Sequence, residues 1–291
     1  MERKVDVAIV GCGPAGLSAA VNVKVRNRSL LLVGPRLCSA SLHKAHRINN
    51  YLGFHGVTGE ELRQKFLAHI RDMGISVTQS NVSGIYPVEG SFHLQVRDDF
   101  VEAAAVILTT GVFAARHLPD EERLVGKGIS YCGTCDAMFY QGKTVAVVAE
   151  SAEHEEEARF LAEVAGHVYF LPQYENVSAD IGERMETIRE KVKGFAGEER
   201  VRAVRLEGRE LTVDGVFLLK EQLPMSHLVS GLALHDKHVR TDPEMATNIP
   251  GVYAAGDITG KPYQVAKAVG QGQQAALSAV SYIDSRIKVK V

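Results

Sequence analysis

The chain has 291 residues, 45% of them hydrophobic and 23% charged, which is enough apolar content for a sizeable core and about two domains. Its 33 Lys and Arg nearly balance 35 Asp and Glu, and a net charge of -2 excludes a general nucleic-acid binder. No run of apolar residues approaches a membrane span, and the first residues lack a signal-peptide pattern, so a cytoplasmic protein with no membrane partner is expected.

Residues 5–10, Val-Asp-Val-Ala-Ile-Val, read as a buried strand. Gly11-Cys12-Gly13-Pro14-Ala15-Gly16 follows, then a helical pattern from Pro14 to Val25 and a second strand from Ser29 to Val33. Strand, Gly-x-Gly-x-x-Gly, helix and strand in that order form a dinucleotide-binding fingerprint. The glycines let the backbone approach a pyrophosphate, and the helix N-terminus faces its negative charge. One element is missing. The second strand should end in an acidic residue for a ribose hydroxyl, but it ends Leu32-Val33-Gly34. Backbone groups or the basic loop from Arg36 to Arg47 are the candidates to hold the adenosine instead.

A helix is expected over Gly59–Asp72, a β meander over Val82–Val96 and a strand over Val106–Gly111. The segment that follows has its own strand–helix–strand pattern: Lys143–Val148, Ser151–Ala165 and His167–Leu171. A hairpin over 201–213 turns at Glu207-Gly208-Arg209. Near the end, Gly251–Asp257 reads as a short strand closing in Gly256-Asp257, and Val265–Ile283 as a helix. The fold class is therefore α/β, with two Rossmann-like three-layer domains. Residues 1–112 and 241–291 form the first, and 113–240 form the second, inserted into it. Charge agrees with this division: residues 113–240 hold 16 Lys and Arg against 22 Asp and Glu, whereas the remainder holds 17 against 13.

Four cysteines do not make a disulfide scaffold. Cys12 and Cys38 stand alone in the sequence. Cys132 and Cys135 form a C-x-x-C pair, too few thiols for a structural zinc site, and neither His117 nor His154 has the spacing to complete one. No metal is expected, and a redox dithiol is the better reading.

These pieces resemble the low-molecular-weight thioredoxin reductases: Gly11–Gly16, Asn49-Asn50-Tyr51-Leu52-Gly53-Phe54, Thr109-Thr110-Gly111, Cys132-Gly133-Thr134-Cys135-Asp136 and Ala254-Ala255-Gly256-Asp257. The resemblance implies FAD in the first domain, held by Gly11, Gly13, Pro14, Ala15, Gly16, Asn50, Thr110, Gly111, Gly256 and Asp257, with Gln264 and Val265 near the flavin. It also implies Cys135 as the thiol beside the flavin, Cys132 as the interchange thiol and Asp136 as the acid/base. Thioredoxin would be the electron acceptor, and the protein a homodimer with hinges near 112–116 and 240–242.

The resemblance fails at one ligand. Where such reductases carry a glycine turn for NADPH, this chain reads Ala149-Glu150-Ser151-Ala152-Glu153-His154-Glu155-Glu156-Glu157. Side chains block a close approach, and five glutamates oppose a pyrophosphate. Where a cationic cluster would clamp the 2′-phosphate stands Pro172-Gln173-Tyr174. The dithiol and flavin motifs survive although the NADPH motifs do not, which resembles the ferredoxin-dependent flavin thioredoxin reductases. Reduced ferredoxin is therefore the expected donor, and a patch of Arg36, Lys44 and Arg47 with His43 and His46 suits an acidic protein. A solvated loop, or one that neutralises the FAD pyrophosphate, explains the patch equally well. Two other readings stay open: a dithiol oxidase using oxygen, and a pyridine-nucleotide-dependent reductase with an atypical site.

Overall fold

In the computed structural model the described residues are 3–289, apart from 36, 98, 112–117, 179–183, 221–227 and 237; the side chains of 135, 288 and 289 are also outside the description. The chain divides into two compact units: Met1–Ala114 with Pro224–Val291, and Ala115–Leu223.

The first unit is built on a seven-stranded sheet. Its strands are β1 (Arg3–Val10), β2 (Leu30–Gly34), β3 (Val77–Gln79), β4 (Val82–Val88), β5 (Ser91–Val96) and β6 (Asp99–Leu108), in the order β3-β2-β1-β6-β5-β4, with a later strand also on β6. β1 is parallel to β2, with Val7 opposite Leu30 and Val10 opposite Val33, and parallel to β6, with Val10 opposite Leu108. Val7, Ala8 and Ile9 are fully buried, as a strand covered on both faces requires.

Helix α1 (Pro14–Val25) begins at the fingerprint, with Pro14 in the first turn where its missing N–H leaves no bond unmade. Helix α2 (Ala40–His43) is one turn. Helix α3 (Gly59–Asp72) starts where Thr58 and Glu61 form a reciprocal capping box. One face of the sheet carries Ala15, Ala19, Ala20 and Val23 of α1 packed with Ala268, Ala275, Ala276 and Ala279 of the C-terminal helix. Small side chains let those helices approach closely: a Cβ on Gly272 would lie 2.1 Å from the Ala15 carbonyl oxygen.

The second unit has a parallel five-stranded sheet with helix α6 (Glu155–Val164). Its strands are β7 (Ile129–Ser130), β8 (Thr144–Ala149), β9 (His167–Pro172), β10 (Met185–Thr187) and β14 (Gly215–Leu219), in the order β10-β9-β8-β14-β7. Two short helices precede β8, α4 (Glu121–Leu124) and α5 (Gly133–Asp136). An antiparallel sheet of β11 (Gly194–Ala196), β12 (Ala203–Arg205) and β13 (Glu210–Thr212) completes it. The expected hairpin is β12–β13; the pairing of β11 with it has no periodic signal in three residues.

The chain returns to the first unit through β15 (Leu234–His235), β16 (His238–Val239), β17 (Val252–Ala254) on β6, and α7 (Val265–Val289). Both units are α/β folds; the second unit's five-stranded sheet is parallel, and the first unit's is mixed, with β5 antiparallel to both β4 and β6. The second crossing differs from the expected boundary at 240/241, for it falls at 223/224. The reason is packing: Leu228, Val229, Leu232 and Val239 join the core of the first unit, and Val229 bridges to Ile85. The expected hinge at 112–116 lies outside the described residues. Among the described residues no helix is long and apolar enough to cross a membrane.

Candidate active site

In the first unit the sequence Gly11–Gly16 forms the turn from β1 into α1. Gly11 has φ +114°, and a Cβ there would lie 2.4 Å from the Thr109 carbonyl oxygen. Only glycine serves both demands. A Cβ on Gly16 would lie 1.9 Å from the Gly11 oxygen, so the first helical turn packs directly on the loop. Gly13 is different: a Cβ there meets no protein atom within 4 Å, so it faces open space at the N-terminus of α1. No acidic residue stands in the first turn of that helix. This is a cradle that fits a dinucleotide pyrophosphate. Pro14 and Ala15 complete it, and Thr110 and Gly111 follow the neighbouring end of β6. Asn50 Nδ2 donates to Gln264 Oε1 at 2.7 Å, which joins two expected flavin-side residues, and Val265 begins α7.

Gly256-Asp257 follows β17. Partial burial raises the Asp257 pKa, opposed by Lys267. Lys267 Nζ donates to the carbonyls of Gly256 (2.9 Å) and Gly260, and Gln271 Oε1 accepts from Gly256 N at 3.0 Å. Lys267 and Gln271 were missed from the sequence. Their i, i+4 spacing on one helix, just after Gly-Asp, was the available signal.

Cys12 and Cys38 do not stand alone: they form a disulfide, with Cα atoms 5.1 Å apart. β1 and β2 are parallel neighbours, so a residue just past each end meets the other although 26 positions separate them. The same pair accounts for Gly34, because a Cβ there would lie 2.4 Å from Cys12 Sγ. In the basic loop, Lys44, His46 and Arg47 are exposed, His43 Nδ1 lies 2.7 Å from Glu60 Oε2, and Arg36 lies outside the described residues.

In the second unit the dithiol segment runs from β7 into α5. Cys132 is disulfide-bonded; the Cys135 side chain lies outside the described ones. Ser130 Oγ accepts from Cys132 N at 3.1 Å and lies 3.1 Å from its carbonyl oxygen, which clamps that peptide. Asp136 is the last residue of α5. Glu157 of α6 reaches the same segment: its Oε1 accepts from Gly133 N at 2.5 Å. Gly133 lies so close to α6 that a Cβ would be 2.8 Å from Glu157 Cγ. Just beneath, Tyr131 Oη donates to Glu121 at 2.6 Å, and Lys220 Nζ donates to the same carboxyl oxygen at 2.6 Å. Glu121 is fully buried, and burial pushes its pKa up. The bonds from Lys220, Tyr131 and the Leu118 N–H outweigh this and hold it below the usual range.

The turn after β8 repeats the place of the fingerprint without its shape. Glu150 N donates to the Leu219 carbonyl at 3.0 Å, Ala152–His154 form a 3-10 turn, and α6 begins only at Glu155. Burial lowers the pKa of His154, and Ser151 Oγ and His154 Nε2 are buried without a hydrogen-bond partner. The five glutamates do not act as one repelling group, as the sequence reading had them. Glu155 is 4% exposed and accepts from Tyr174 Oη at 2.7 Å and Ser178 N at 3.0 Å. Its carboxylate therefore ties the first residue of α6 to the loop after β9. Glu157 is committed to Gly133. Gln173 Oε1 accepts from Val192 N at 3.3 Å. These residues do not fit a pyridine dinucleotide: they supply carboxylates and side chains where phosphates need glycine and cations.

Known proteins resemble this chain over nearly its whole length. The chain is 42% identical to a ferredoxin-flavin thioredoxin reductase from Clostridium acetobutylicum, covering 98% of this chain and 100% of that one, with a TM-score of 0.92. It is 30% identical to a 34.2 kDa protein in the rubredoxin operon of Clostridium pasteurianum, over 98% of this chain and 99% of that protein. It is 29% identical to the thioredoxin reductase of Bacillus subtilis, over 97% and 96% of the two chains. The protein is an FAD-binding oxidoreductase acting on a sulfur group, a flavin disulfide reductase with two Rossmann-like domains. The family model for pyridine nucleotide-disulphide oxidoreductases matches residues 5–272, and the chain belongs to that family.

Proposed function

We propose that this flavoprotein reduces thioredoxin, or a similar protein disulfide, through FAD and the Cys132–Cys135 couple, with electrons from reduced ferredoxin. The observation that carries the choice of donor is the Glu155–Tyr174–Ser178 closure in the second unit. It leaves a buried carboxylate in the first turn of α6, the helix end toward which a pyridine dinucleotide would bring its phosphates. The likeness to the C. acetobutylicum enzyme supports the same reading. FAD supplies a carrier that accepts electrons singly and gives them up in pairs. Gly11, Gly13, Pro14, Ala15 and Gly16 take its pyrophosphate, Thr110, Gly111, Gly256 and Asp257 its linking chain, and Asn50, Gln264 and Val265 its flavin end.

The other residues work on the dithiol. Cys135 would be the thiol that takes electrons from the flavin, as the resemblance implies. Cys132 thiolate attacks the acceptor disulfide and forms a mixed disulfide, which Cys135 then resolves. Asp136 holds the proton exchanged by the leaving thiol. Met138 and Phe139, 68% and 71% exposed just beyond the dithiol, give a protein acceptor an apolar landing. The reading includes a cytoplasmic homodimer.

The test is thioredoxin turnover in the absence of oxygen, with NADPH, NADH or reduced ferredoxin as sole donor. Only ferredoxin should sustain it. Cys132→Ser and Cys135→Ser should each abolish it, and Cys135→Ser should trap thioredoxin on Cys132. Turnover with NADPH alone, or oxygen uptake on small dithiols without any thioredoxin reduction, overturns the reading.

A further inference from the structure

We propose that the Cys12–Cys38 disulfide is a positioning clasp for the adenosine half of FAD, replacing the acidic residue missing at the end of β2. It rests on the FAD site of the first unit and is independent of which donor or acceptor the enzyme uses.

In a strand–helix–strand nucleotide site, the first turn holds the pyrophosphate and the end of the second strand meets the adenosine ribose. Here those two places are Gly11–Gly16 and Gly34. The disulfide joins them covalently: Cys12 lies within the turn, and Cys38 lies in the loop leaving β2. Gly34 is the consequence, since Cys12 Sγ fills the position of any side chain there. An acidic residue at 34 and a bridged Cys12 exclude each other sterically.

Other contacts converge on the same loop. Ser39 Oγ donates to the Cys12 carbonyl at 3.1 Å, and Arg63 of α3 donates to the Cys38 carbonyl at 3.5 Å. With Cys38 and Ser39 fixed to the turn, their backbone groups are ordered before the ligand arrives. Less freedom is then lost on binding. The bond is also shielded, since Cys12 is 2% and Cys38 5% exposed. A small dithiol reaches it only as the loop opens. One thiolate of the reagent attacks one sulfur and forms a mixed disulfide. The second reagent thiol displaces the protein thiol, so two electrons and two protons end on Cys12 and Cys38 while the reagent leaves as its own disulfide. The loop is then held without a covalent link, by hydrogen bonds such as those of Ser39 and Arg63.

The experiment uses the full-length chain carrying Cys132→Ser and Cys135→Ser, so that Cys12 and Cys38 are the only cysteines. FAD, ADP and FMN affinities are measured on the flavin-free protein before and after treatment with dithiothreitol. Reduction should weaken FAD and ADP about tenfold, in the range preorganisation supplies, and leave FMN, which has no adenosine, unchanged. Adding Cys12→Ser and Cys38→Ser should reproduce the reduced affinities and remove any response to dithiothreitol. Equal FAD and ADP affinities in all three states overturn the proposal. So does equal weakening of FMN, which identifies a general loss of structure. None of these outcomes bears on the electron donor.

Discussion

The turns after β1 and after β8 occupy the same place in two α/β units, and they have gone opposite ways. The first keeps a bare backbone: Gly13 opens on empty space, and no acidic side chain enters the first turn of α1. The second has filled itself. Glu155 takes the helix end and the Ser178 N–H, and Glu157 takes the Gly133 N–H beside Cys132. The helix end attracts a negative charge in both cases. In one unit a ligand must bring that charge, and in the other the protein carries it. Two glutamates of this turn are taken up internally by Tyr174, Ser178 and Gly133, and α6 braces the dithiol segment.

The largest effect expected from this contrast is in the first turn. Gly13→Val branches from a Cβ that meets no protein atom within 4 Å, so folding should be intact while FAD is lost on gel filtration. Retention of stoichiometric flavin would show that the cradle does not face the ligand.

The next tests the second unit's buried support. Glu121→Ala leaves Lys220 buried without its counter-charge and should destabilise this unit by about 3–5 kcal/mol, measured by denaturant unfolding. The pH sign follows from the lowered Glu121 pKa. Its contribution is fully present above the ordinary 4.5 and drains away as pH falls through the lower folded value. Glu121→Gln should therefore flatten the acid limb of the stability profile and leave its shape above pH 6 unchanged.

Glu157 offers a finer probe. Glu157→Gln keeps an acceptor for Gly133 N but removes the charge, whereas Glu157→Ala removes both. The first should lower the pH midpoint for alkylation of reduced Cys132, because a nearby anion opposes a thiolate. The second should also cost about 1–3 kcal/mol from the unmade bond. An unmoved alkylation profile in both would confine Glu157 to packing. The smallest effect is expected from restoring glycine at 149, 150 and 151: no useful NADPH activity should appear, because Glu155 still holds Tyr174 and Ser178. A large gain would locate the block in the turn alone.

Much of this was legible in the sequence where local pattern and tertiary role coincide. Pro14–Val25 and Gly59–Asp72 appear with the expected limits because Pro14 and the Thr58–Glu61 box mark their starts locally. The Cys12–Cys38 bridge was not legible, since only the parallel pairing of β1 and β2 brings those positions together. The domain crossing at 223/224 was displaced for a similar reason: Leu228, Val229 and Leu232 carry no sign of which core they join. The glutamate run is the local pattern behind the expected loss of a nucleotide site. That two of its members are internal acceptors depends on Tyr174, Ser178 and Gly133, all distant in sequence.

Flavin absorbance in an anaerobic stopped-flow experiment distinguishes a second unit that has exchanged a nucleotide for its own carboxylates from one that still binds NADPH or NADH. The unmodified protein is mixed with NADPH, NADH or reduced ferredoxin, and bleaching of the flavin band is followed. Ferredoxin should bleach it rapidly, while both pyridine nucleotides at millimolar concentration leave it oxidised. Rapid bleaching by NADPH or NADH would contradict the account.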